Sequence, residues 1–87
     1  MNHYQTTDIF FASFLIASGY STLKDIWDNG SGRKTFVFEP APTQEVILGF
    51  YSGTESVAAL RLFEAFQSLK SATYVVQKSN QKLREGR

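Results

Sequence analysis

Residues 8–19 read DIFFASFLIASG. Eight of these twelve residues are Ile, Phe, Leu or Ala, and no charge falls between Ile9 and Gly19. Such a run can lie in hydrocarbon, in a core, or against a partner. It is too short for the first: a membrane span needs about 20 apolar residues to cross ~30 Å. Residues 9–18 as a helix reach only about 15 Å. A signal peptide opens with a basic segment, whereas MNHYQTTD carries no Lys or Arg. The expectation is therefore a chain without a membrane segment.

A capped helix fits the run. Thr7 or Asp8 can accept hydrogen bonds from the free N–H groups at its start, and Asp8 also complements the positive end of the dipole. Gly19 suits the C′ position, where a positive φ is needed. At ~100° per residue Phe10, Phe11, Phe14 and Leu15 make one broad face, while Ile9 and Ile16 fall nearly opposite. A helix apolar on more than one side is buried on several sides. One reading places it between a sheet and a second helix. The other gives Ile9 and Ile16 to a second subunit, since 87 residues supply little material to cover both sides.

The remaining elements follow from alternation and punctuation. Residues 3–6 read as a short edge strand. Residues 20–28, YSTLKDIWD, mix β-branched and aromatic residues with polar ones and read as a strand. Asn29-Gly30 marks a hairpin, and residues 33–39 return as a second long strand. In it Phe36 and Phe38 share one face, directed at the apolar helix, and Thr35 and Val37 the other. Pro40 and Pro42 end that strand. Residues 44–51, QEVILGFY, fit a helical stripe at Val46, Ile47, Phe50 and Tyr51, although the same residues would suit a strand. Thr54 or Ser56 would cap a last helix to about Thr73. Its apolar face would be Ala58, Ala59, Leu62, Phe63, Phe66 and Leu69, and its wet face Arg61, Glu64, Gln67 and Ser68. Val57 and Leu60 read as ordinary surface apolars. The expected fold is a single α+β domain over residues 1–77: a three-stranded antiparallel sheet packed against two or three helices. Residues 78–87 read as a polar, flexible basic tail.

Charge limits the function classes. Nine Lys/Arg face eight Asp/Glu. Residues 1–77 carry a net −2 and residues 78–87 a net +3. A near-neutral body with a basic tail is not the footprint of a dedicated duplex-DNA binder. No cysteine is present, so disulfides and thiolate metal sites are excluded, which fits a reducing cytoplasm. The one histidine, His3, stands near the start of the chain. The acids are dispersed, and no His or Lys is positioned to activate a Ser or Thr. The expectation is a non-enzymatic protein with no metal and no cofactor.

Residues 29–34, NGSGRK, set glycines beside two cations. Loops of this kind can wrap a phosphate with backbone N–H groups, although neither GxxxxGK[ST] nor GxGxxG is matched. Trp27 precedes the turn and can stack on a base. Arg33, Lys34, Trp27 and Tyr20 are thus the candidate ligand-binding residues, and Ile9 and Ile16 the candidate interface.

YQTTDIFFASFLIASGY, then GRKTFVFEP, then EVILGFYSG and LRLFEAFQSLKS, resembles a family of small domains of unknown function from phages, prophages and bacterial mobile elements. The pattern is a Thr-Asp pair opening an apolar helix that ends in Gly, then a Phe-rich strand ending near Glu. An aromatic-x-Gly turn leads to a helix closing on Leu69-Lys70-Ser71. The likeness covers residues 4–74 and departs at Gln67, where many members carry Arg. No activity is established for the family, so no functional residue transfers. What the resemblance implies is a setting. Small phage proteins of this kind often bind a host-defence protein or, as oligomers, sequester the nucleotide signals of such defences, in the bacterial cytoplasm. The implied partners are a second copy of the chain and a nucleotide or host protein. The alternative is a nucleic-acid accessory protein using Arg33, Lys34 and the basic tail.

Overall fold

The computed structural model describes residues 3–28 and 33–85. In chain order the elements are β1 (Tyr4–Thr6), α1 (Ile9–Ser18), β2 (Thr22–Asp28), β3 (Lys34–Glu39), α2 (Gln44–Ser52) and α3 (Ala59–Glu85). The strands form one antiparallel sheet in the order β1-β3-β2. This is the α+β fold expected from the sequence. The hairpin turn at residues 29–32, and Gly86 and Arg87 at the end of the basic tail, lie outside the described residues.

The apolar run forms α1 because both ends are closed. Asp8 is the N-cap, its Oδ1 accepting from Phe10 N at 2.9 Å and Phe11 N at 3.3 Å. Gly19 has φ 81° and returns its N–H to the carbonyls of Leu15 and Ile16. Ser13 is fully buried, and its hydroxyl donates to Ile9 O at 2.7 Å. A polar atom is thereby satisfied inside the helix that carries it.

α1 is enclosed by the rest of the chain. Phe11, Ala12, Phe14 and Leu15 are each at most 2% exposed. The Phe11 ring lies 5.8 Å from Tyr4 on β1, 5.0 Å from Phe50 and 5.5 Å from Tyr51 on α2. Phe36 and Phe38 of β3, and Leu69 of α3, belong to the same core, so the strand face directed at the helix is as expected. Val37, on the opposite face, is also buried. It is the middle strand's residue level with Gln5 and Asp25. Ile9 and Ile16, for which one reading was a contact with another subunit, are partly buried and pack against this core. α3 lies along α1 and covers part of its second side.

Residues 44–52 form α2, settling the choice between helix and strand: Thr43 Oγ1 accepts from Val46 N at 3.2 Å, and Gly53 closes the helix at φ 83°. α3 starts later and ends later than expected. Thr54 does not cap it. The Thr54 N–H and hydroxyl both go to Gly49 O, at 2.8 and 3.3 Å, so Thr54 closes α2 instead. The first bond of α3 runs from Leu62 N to Ala58 O. Its backbone is helical to Glu85, past residue 77 where the body of the domain was expected to end. Its core face is Leu62, Ala65, Phe66 and Leu69, an i, i+3, i+4, i+7 set. Ala58, Ala59 and Phe63 are exposed. The expected face had merged two stripes.

Removing a ring at the centre of α1 deletes contacts to the sheet and α2 together. Phe11→Ala is expected to cost about 3–5 kcal/mol, most of the stability of a small domain. Urea unfolding followed by circular dichroism should show the transition abolished or moved close to zero denaturant.

Candidate functional site

The four residues singled out as a ligand site do not meet. Trp27 pairs with Thr35, and Asp28 with Lys34, at the hairpin end of the sheet. Lys34 Nζ lies 3.8 Å from Asp28 Oδ2, with both side chains largely covered. Trp27 Nε1 donates to Asp25 Oδ2 at 2.8 Å. Arg33 is exposed beside them. Tyr20 precedes β2 at its other end, about 20 Å away at ~3.3 Å per extended residue. The cation of Lys34 is engaged by a carboxylate, and the aromatic Tyr20 belongs elsewhere.

Tyr20 lines an open cleft of about 410 Å³ with Ser18, Ser56, Ala58 and Arg61, over an apolar floor of Ala17 and Val57. The left-handed turn at Gly19 sets Ser18 and Tyr20 at the exit of α1. The Tyr20 ring leans on Phe14, with centroids 5.9 Å apart, and stays 45% exposed. Its hydroxyl donates to Glu55 Oε1 at 3.3 Å. The Glu55 charge, then burial and that hydrogen bond, push the Tyr20 pKa up. Glu55 is held there because its N–H donates to Gly49 O at 3.1 Å. A Cβ at position 49 would stand 2.8 Å from Glu55 Cγ, so a larger residue there would have to push the Glu55 side chain aside. Arg61 lies in the first turn of α3, exposed and without an ion pair among the described residues. The cleft therefore combines a half-exposed ring, two hydroxyls and a guanidinium, with the Glu55 carboxylate bound to the ring's hydroxyl. It can stack a flat ring, accept an N–H, and pair an anion.

A second polar group ties α1 to α2. Tyr51 donates to Asp8 Oδ2 at 2.7 Å, while the other oxygen of Asp8 caps α1. Burial, then the hydrogen bond and charge of Asp8, raise the Tyr51 pKa far above its usual value. Burial, then the Asp8 charge, raise that of Tyr4. Asp8 thus latches the start of α1 to α2. His3 Nε2 meets Glu39 Oε2. Among the described residues no three His, Cys, Asp or Glu group as metal ligands would, and no helix is long and apolar enough to cross a membrane.

Large apolar side chains are exposed on α3 and at the start of α1: Phe10 62%, Leu60 67%, Phe63 58% and Tyr74 64%. Phe10 stacks on Phe66 at 5.3 Å between centroids, their planes 5° apart. Lys70 Nζ sits 5.6 Å from the centre of the Phe66 ring. Sequence reasoning took Arg61 for a solvated residue and Leu60 for an isolated apolar one. The spacing of Leu60, Phe63 and Tyr74 was the available signal for a second stripe. Scans against family models, curated proteins and solved structures find no match for the chain.

The Asp8–Tyr51 latch gives a pH dependence. A free tyrosine ionises near 10; the folded protein holds the Tyr51 proton more tightly. The stabilisation is complete below about pH 10 and is lost as the pH rises above it. Tyr51→Phe should cost about 1 kcal/mol at pH 7 and flatten part of the alkaline decline. Urea midpoints between pH 7 and 11 test both.

Proposed function

We propose that the protein is a non-catalytic binding protein that captures a small phosphorylated ligand, of the nucleotide kind, in the cleft of Tyr20 and Arg61, and works as a homo-oligomer. The observation that carries this reading is the lining of that cleft. A ring able to stack a base and a guanidinium able to pair a phosphate line one opening, and the Glu55 carboxylate, hydrogen-bonded to the Tyr20 hydroxyl, is able to accept a base N–H. These are the groups a nucleotide needs, and a 410 Å³ volume lies within the usual ~300–1,000 Å³ of small-ligand sites. Glu55 gives the cleft a direction: the base end sits by Tyr20 and Glu55, the phosphate end by Arg61. The residues lining the cleft include no histidine, and the Ser18 hydroxyl donates to Leu15 O, which fits binding rather than nucleophilic chemistry.

The resemblance of residues 4–74 to phage and mobile-element domains supports the biological setting. There the ligand would be a nucleotide signal of a bacterial host's defence, and the protein its cytoplasmic antagonist by sequestration. Binding to nucleic acid through Arg33, Lys34 and the basic tail is the weaker reading. Lys34 is already paired with Asp28.

Titration calorimetry with a panel of mononucleotides and cyclic dinucleotides tests the site. At least one should bind, with affinity falling tenfold or more in Arg61→Ala and in Tyr20→Ala, while Arg33→Ala leaves it unchanged. Loss of binding in Arg33→Ala alone would return the site to the hairpin. Absence of binding across the panel would refute the nucleotide reading.

A further inference from the structure

We infer that the cleft selects guanine as its base, and that the Glu55 carboxylate makes the selection by accepting from the ring N–H and the amino group on guanine's edge. This deepens the nucleotide reading of the cleft and rests on it. The Glu55 side chain is placed by the backbone of α2. Glu55 N–H donates to Gly49 O at 3.1 Å. Glu55 Cγ and Oε2 lie 2.8 and 3.2 Å from where a Cβ at position 49 would stand. The bare glycine thus lets the side chain lie directly over the helix, with Oε1 accepting from the Tyr20 hydroxyl at 3.3 Å. That hydroxyl belongs to a ring lining the cleft, so a base stacked on the ring brings its edge toward the carboxylate.

Donors and acceptors decide which base fits. An ionised carboxylate only accepts, at about four lone-pair sites. Tyr20 uses one, and no cation and no second donor meets the Glu55 side chain among the described residues. The hydroxyl hydrogens beside the ring are committed, that of Tyr20 to Glu55 and that of Ser18 to Leu15 O. The ring end therefore offers lone pairs and negative charge, and calls for a base edge with adjacent donors. Guanine sets a ring N–H beside an amino group, two donors that engage a carboxylate together. Adenine and cytosine set a ring-nitrogen lone pair beside their amino group, and that lone pair would face the carboxylate. Uracil has one ring N–H between two carbonyls. The same carboxylate thus attracts one base and repels the edges of the others. Arg61, in the same lining, is left for the phosphate.

Titration calorimetry on the full chain tests this with guanosine, inosine and adenosine monophosphate and with the cyclic dinucleotides of guanine and adenine. The guanine compound of each set should bind at least about tenfold more tightly than its adenine counterpart. Inosine monophosphate, which lacks the amino group, should fall between them. Glu55→Gln replaces two acceptors by one acceptor and one donor, the pattern that adenine matches. It should bring the guanine and adenine affinities close to equal, with the thermal midpoint within a few degrees of the parent. Gly49→Ala, which pushes the Glu55 side chain aside, should erode the same preference without altering the cleft lining. Binding that is lost in Arg61→Ala and Tyr20→Ala yet is equal for guanine and adenine compounds overturns the base assignment and leaves the nucleotide reading standing. A guanine preference untouched by Glu55→Gln overturns the role of Glu55. Absence of binding for every compound overturns both readings.

Discussion

Phe11 and Phe14 occupy the point where α1, the sheet and α2 meet, and the other elements are arranged around them. The run that carries them has no polar stripe to offer solvent, so α1 folds only if it is covered on nearly every side. β3 supplies Phe36 and Phe38 beneath it. α2 supplies Phe50, whose ring lies 5.0 Å from Phe11 and 5.1 Å from Phe14. α3 supplies Leu69 and stacks Phe66 on Phe10. Burial of four aromatic rings at one junction is worth several kcal/mol, a large share of what an 87-residue domain can accumulate. The capping bonds of Asp8 and Gly19 fix where the helix begins and ends, and so which rings reach the junction.

That enclosure determines what is left for function. With α1, the inner sheet face and one side of each outer helix committed to the core, the remaining distinctive surfaces are few. The exit of α1 and the start of α3 leave a cleft between Tyr20 and Arg61. The long α3 has more face than the core can use, and Leu60, Phe63 and Tyr74 stay exposed on it. The hairpin end has cations and an indole, but their partners are local: Asp28 holds Lys34 and Asp25 holds Trp27.

Much of the fold was legible because its signals are local and redundant. The Asp8 and Gly19 caps, the Phe36 and Phe38 alternation, the proline break after Glu39 and the Val46–Phe50 stripe each name an element. Less of the site was legible, because it depends on which stripe faces inward. Phe63 and Leu62 are neighbours in sequence, and either could have joined the core. Tertiary packing chose Leu62, leaving Phe63 exposed. The start of α3 was misjudged for a similar reason: Thr54 has good capping chemistry but spends it on Gly49 O. Tyr20 was chosen for its ring, yet its true neighbour, Arg61, lies 41 positions away in the sequence, a distance no local pattern spans.

Native mass spectrometry of the protein purified from cells addresses the central claim most directly, because it reports assembly and bound ligand together. The account predicts a dimer carrying additional small-molecule mass, with that mass missing from Arg61→Ala while the dimer persists. A bare monomer would contradict it, removing both the homo-oligomer and ligand capture in the cleft.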